Sequence, residues 1–111
     1  MVKCQTLDRT LTAISDATRR DILDRLSRGP ASISQLAQPY GISLPGLMKH
    51  VRILEEAELV QTRKNGRTRE CSLGPGHLDD VNDWVEHYRQ RWEKRLDRLE
   101  TYLSKKKEGK R

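Results

Sequence analysis

The hydrophobic repeat leaves the helical period once in this chain, and that interruption restricts the fold more than any other feature. Up to Leu54 apolar side chains recur every three or four positions; beyond Glu58 they alternate, as half-buried strands require. LVQTRK and RTRECSL read as two short strands around Asn65-Gly66. Asn-Gly favours a tight type I′ hairpin, whose two central residues take positive φ. Gly74-Pro75-Gly76 closes the second strand. The helical period then returns over about residues 77–104.

Four helices are expected before the hairpin. Leu7, Leu11 and Ile14 stand at helical spacing, and Ser15 or Asp16 can cap the next helix, with Ala17, Ile22, Leu23 and Leu26 turned inward. Gly29-Pro30 stops it. Ser32 can cap a short third helix, SISQLAQ, burying Ile33, Leu36 and Ala37. Pro39 and Gly41 end that helix, and Ser43 can cap a fourth, with Pro45 tolerated in the first turn. Leu47, Val51 and Leu54 share one face of it, while Met48, Lys49 and Arg52 face elsewhere. The expected fold is mainly α with one β-hairpin, in the order ααααββα: a winged helix-turn-helix.

The last helix carries Val81, Val85, Tyr88, Trp92, Leu96, Leu99 and Leu103 at steps of 4, 3, 4, 4, 3 and 4. A near-heptad seam of this length suits packing on a second copy of itself. Composition agrees: 34% of the 111 residues are hydrophobic, none is Phe, and 34% are charged. A chain this small and polar gains stability by sharing core with a partner. Leu7, Leu11, Val81, Val85, Tyr88, Trp92, Leu96 and Leu99 are the expected dimer interface, on the first and last helices. Residues 1–104 form one domain in this reading, and 105–111 form a basic, disordered tail.

The formal net charge is +6, which points to a polyanion partner. Most of it sits in KKKEGKR at the end, net +4. Within the body, QTRKNGRTRE (61–70) is net +3, on the hairpin, whereas residues 71–104 are net −2. The third and fourth helices have helix-turn-helix proportions, which place the start of the second helix in the DNA major groove. Ser43, Leu44, Pro45, Lys49, His50 and Arg52 are the expected DNA-facing residues there. Arg63, Lys64, Arg67 and Arg69 cluster about the hairpin tip as a wing suited to phosphate or minor-groove contact.

Two stretches carry a family resemblance. DATRRDILDRL (16–26) resembles the second helix of ArsR-family repressors, which reads D-x-T-R-R-x-I-L-x-x-L. ISLPGLMKHVRILEEAELV (42–60) resembles the recognition helix of that family. The resemblance covers roughly residues 7–104. It implies a homodimer joined through its first and last helices that binds an imperfect palindromic operator and represses transcription, with Ser43, Lys49 and His50 in the DNA-reading segment. Glu58 stands where the family usually has Gly, a position that would strain a non-glycine residue if its φ is positive; Met48 replaces a usual small polar residue, so the operator sequence does not carry over. The wing and last helix look closest to a metal-independent subgroup, whose members often lie beside genes for START-like proteins and can regulate their own gene.

No metal site is expected and no cofactor. The third helix lacks the Cys-x-Cys of some relatives. His77 and His87 are present, but Pro75 and Gln90 stand where another family site has ligands, and two histidines alone do not complete a tetrahedral site. Asp79, Asp80 or Glu86 would have to be recruited across a dimer. Cys4 and Cys71 do not make a disulfide framework. Arg67 and Arg69 would lower the Cys71 thiol pKa if close, which keeps a redox-sensing repressor as an alternative beside a metal-sensing one. A third alternative is a winged-helix protein-interaction module without specific DNA binding. No nucleophile–base pair or phosphate loop suggests an enzyme. No membrane-spanning run occurs, so the expected location is cytoplasmic and the expected partners are double-stranded DNA and a second copy.

Overall fold

The computed structural model describes the backbone of residues 2–108 and the side chains of residues 5–106. Helix α1 spans Val2–Ile14 and α2 Ala17–Leu26; strand β1 (Ala31–Ser32) leads into α3 (Ile33–Ala37), a 3-10 turn (Gln38–Tyr40) and α4 (Leu44–Glu56). Strands β2 (Val60–Asn65) and β3 (Thr68–Leu73) form the hairpin, and α5 spans Leu78–Glu108. The chain divides into two compact units after Leu78.

The helix starts follow from their caps. The Asp16 carboxylate accepts from the Arg19 N–H at 3.1 Å and starts α2. Ser32 and Gln35 form a reciprocal capping box on α3: Ser32 Oγ accepts from Gln35 N at 3.1 Å, and Gln35 Oε1 accepts from Ser32 N at 2.9 Å. Each satisfies N–H groups that have no partner in the first turn.

Ile22, Leu36, Leu47, Val51 and Leu54 are fully buried and centre the core of the first unit. Helix α1 contributes small side chains to the core. Its buried residues are the small Thr10 and Ala13, whereas Leu7, Leu11 and Ile14 are only half-buried. Thr10 meets its burial by donating to Thr6 O at 2.9 Å. Ala17, expected inward, is exposed at the first position of α2. Met48, expected to face elsewhere, is partly buried against the core.

The sheet has three strands, ordered β1-β3-β2, all antiparallel. β1 was not expected; it pairs Ala31 with Cys71 and Ser32 with Glu70, and two residues are too few for a hydrophobic alternation to show. The hairpin turn is shifted by one residue from expectation. Asn65 pairs with Thr68, so Gly66 and Arg67 are the central residues, and Gly66 takes φ 64° while Arg67 is not in the positive-φ region. Positive φ at the first central residue alone matches type II′ rather than I′.

Helix α5, 31 residues long, stands as its own unit apart from its first residue. It ends at Glu108, so the tail expected from residue 105 is helical that far. Residues 109–111 lie outside the described residues. Asp79 and Asp80 occupy its first turn, where carboxylates suit the positive end of the helix dipole.

Candidate nucleic-acid interface

The helix-turn-helix is held against α2 by one arginine. Arg25 donates to Leu36 O and Gln35 O, both at 2.9 Å, satisfying carbonyls near the end of α3. Its guanidinium also lies 5.5 Å from the centre of the Tyr40 ring, whose hydroxyl donates to the Asp21 carboxylate. Burial, then that hydrogen bond, raise the Tyr40 pKa. Gly41 turns the chain at φ 62°, a conformation glycine adopts without Cβ strain. Ser43 Oγ then accepts from Gly46 N at 3.2 Å and starts α4.

This frame fixes what α4 presents. Leu47, Val51 and Leu54 are buried. Ser43, Leu44, Pro45, Lys49 and Arg52 are exposed, whereas His50 is only partly so. Ser43 uses its oxygen as the cap acceptor, which leaves its O–H free to donate.

The hairpin carries the expected cations in two states. Arg69 Nε donates to Thr62 Oγ1 at 3.2 Å, and Thr62 Oγ1 in turn donates to Glu55 at 3.2 Å. Arg69 is thus engaged on the strand rather than presented at the tip. The side chains of Arg63, Lys64 and Arg67 are exposed and, like those of Lys49 and Arg52, make no hydrogen bond or ion pair with the described residues. Lys64 stands directly opposite Arg69. Like charges in that position cost several tenths of a kcal/mol, and a bound anion would remove the repulsion.

Compared with known proteins, residues 14–63 match the helix-turn-helix domain family. The HTH-type transcriptional regulator Rv2034 of Mycobacterium tuberculosis is 38% identical over 71 residues, covering 64% of this chain and 66% of that protein. The transcriptional repressor SdpR of Bacillus subtilis is 33% identical over 82 residues, covering 74% of this chain and 91% of that one. A crystal structure of an ArsR family transcriptional regulator superposes with a TM-score of 0.74 at 39% identity, over 80% of this chain and 92% of the other. The chain belongs to the ArsR family.

As an ArsR-family regulator it has a helix-turn-helix built from α3 and α4 and a wing built from β2 and β3. It is a transcriptional regulator rather than an enzyme. Among the described residues no helix is long and apolar enough to cross a membrane. Glu58, at the position where the family usually has Gly, has φ 60°. Its carboxylate lies 2.6 Å from His77 Nε2, and its carbonyl accepts from Gly76 N at 2.8 Å.

Cys71 corrects the redox alternative. In the redox alternative Arg67 and Arg69 would lower its thiol pKa; instead it is fully buried, and burial, then Glu55, push its pKa up to about 11. Arg69 opposes this only in part. A thiol so held is protonated and shielded, the opposite of a reactive one. Cys4 lies outside the described side chains.

Sequence reasoning missed Arg19. It is buried, and its guanidinium donates to Ala13 O at 2.8 Å, Thr12 O at 3.0 Å and His50 Nδ1 at 3.1 Å. The T-R-R stretch signalled a family helix; nothing local in it signalled a contact 31 positions away.

Proposed function

We propose that the protein is a homodimeric repressor that binds a palindromic operator, with α4 in the major groove and the β2–β3 wing against the backbone. The observation that carries this reading is the set of unengaged cations Lys49, Arg52, Arg63, Lys64 and Arg67 on the exposed faces of these two elements. Cations whose side chains bond no described residue are free to displace counterions from phosphate, the dominant source of affinity for DNA. Lys49 and Ser43 reach base edges; Leu44 and Pro45 offer apolar contact to a thymine methyl. Arg69 steadies the wing through Thr62 and contributes charge.

The partner is a second copy of the chain. Val85, Tyr88, Trp92, Leu96 and Leu99 are exposed on α5, with Trp92 at 67%, and their heptad-like spacing matches a helix packed on itself. Leu7 and Leu11 of α1, half-buried because Thr10 and Ala13 take α1's place in the core, are further dimer contacts in this reading. A two-fold axis in the protein calls for a two-fold axis in the operator. The gene's own upstream region is the first candidate operator, and the cytoplasm is where the protein meets it.

Footprinting of that upstream region tests the reading. Protection of two half-sites separated by about one helical turn, or a multiple of it, is expected. Protection of a single half-site by a monomer removes the dimer, and no protection on this or other candidate promoters removes the operator.

A further inference from the structure

Resting on the reading of α4 as the DNA-facing helix, a second consequence follows from how His50 is held. Arg19 Nε and one terminal nitrogen of its guanidinium bond Ala13 O and Thr12 O in the last turn of α1. Thr12 O also accepts from Ser15 N at 3.3 Å and Ser15 Oγ at 2.7 Å, and the two bonds from Arg19 fix its guanidinium plane from α1. The other terminal nitrogen lies 3.1 Å from His50 Nδ1. A guanidinium has donors and no acceptor. Nδ1 therefore accepts, and the proton of the neutral imidazole sits on Nε2.

Asp16 does not compete for that role. Its carboxylate is 3.9 Å from His50 Nδ1 and already accepts from the Arg19 backbone N–H. That backbone bond is the main reason its pKa is lowered, with the charge of Arg19 adding to it. Nε2, in contrast, makes no hydrogen bond with the described residues. Among those residues no buried side-chain nitrogen or oxygen lacks a partner, so Nε2 reaches solvent.

We propose that Arg19 is a positioning residue for DNA binding: it locks His50 as the Nε2–H tautomer and presents that N–H as a fixed donor to a phosphate of the bound duplex. A phosphate is the acceptor because of where His50 stands. It shares a helix flank with Gly46 and Ile53, beside the exposed face of Lys49 and Arg52. A helix seated in the major groove has base edges along its outer face and the sugar-phosphate backbone along its flanks. Lysine does not replace Arg19 here, since an ammonium is a point charge without the planar fork that reaches three acceptors at once.

Two measurements on the full chain test this. Long-range 1H–15N spectra of the 15N-labelled protein, with His50 assigned by His50→Gln, report which ring nitrogen carries the proton. The expected result is Nε2 protonated and Nδ1 bare, with Arg19→Lys giving a mixture of tautomers. Binding is then read by fluorescence anisotropy on a labelled duplex of the upstream region and on a scrambled duplex. His50→Gln keeps an acceptor for Arg19 and an N–H for DNA, and stays within about threefold of wild type; His50→Leu loses about tenfold on both duplexes, the size of one hydrogen bond to a charged group. A proton on Nδ1, or full affinity in His50→Leu, overturns the proposal. Wild type that binds neither duplex overturns the DNA reading itself, which the spectra distinguish because they need no DNA.

Discussion

Glu58 occupies left-handed backbone at φ 60°, and a non-glycine residue there costs about 1–2 kcal/mol. Its carbonyl sits where the chain after β3 turns back: a Cβ on Gly74 would stand 2.5 Å from it. The strained residue and the G-P-G corner are therefore one packing arrangement. Glu58→Gly should be more stable than Glu58→Ala by about 1 kcal/mol, because both lose the His77 pair and only glycine removes the strain. Equal midpoints in urea unfolding would refute that. Cys71 gives a pH-dependent counterpart. Its folded pKa of about 11 lies above the ordinary 9.0, so its contribution to stability is complete below pH 9.0 and is lost as pH rises towards 11. The stability difference between wild type and Cys71→Ala should thus shrink over that range and stay constant from pH 6 to 8. The possibility of strain at Glu58 was legible in the sequence because a left-handed position is recognised by what usually fills it. The burial of Cys71 was not: its strand alternation places it on an inward face, but only β1, pairing Ala31 opposite it, closes that face.

At the scale of elements, the recognition helix and the wing bind DNA by different terms and separate by substitution. Arg67 is a central residue of the wing turn. Arg67→Ala should weaken binding nearly equally on all sequences and reduce the salt slope by about one. Lys49→Ala should cost about 1–3 kcal/mol on the operator and much less on other DNA if Lys49 reads a base. Anisotropy titrations of both variants on operator and scrambled duplexes separate the two effects, and an unchanged slope in Arg67→Ala would remove the wing from the interface. The helices and hairpin were readable because their signals are local: caps at Asp16, Ser32 and Ser43, a period of 3.6, then a period of 2. The turn register was misplaced by one residue because Asn65-Gly66 and Gly66-Arg67 both put the glycine in the loop, and only the pairing of Asn65 with Thr68 decides between them. Arg19 and Arg25 were not readable as clamps, since their acceptors are backbone carbonyls and a side chain on other elements.

For the whole molecule, α5 leaves Trp92, Leu96 and Leu99 more than half exposed, an arrangement that a second copy would relieve. Trp92→Ala should weaken the dimer by about 3 kcal/mol, roughly a hundredfold or more in its dissociation constant. Sedimentation equilibrium measures this, and an unchanged dimer would place the interface elsewhere. Net charge by itself said little about the molecule, because most of it belongs to the last seven residues. What matters is that the remaining positive charge gathers on the wing (net +3 over residues 61–70), beside the exposed Lys49 and Arg52 of α4, whose side chains bond no described residue. The most direct test is therefore the affinity of the wild-type protein for its own upstream DNA across a salt series, with a scrambled duplex as competitor. The account predicts a linear fall of log affinity with log salt and tighter binding to the upstream duplex at every salt concentration; binding that is independent of salt, or equal on both duplexes, would contradict it.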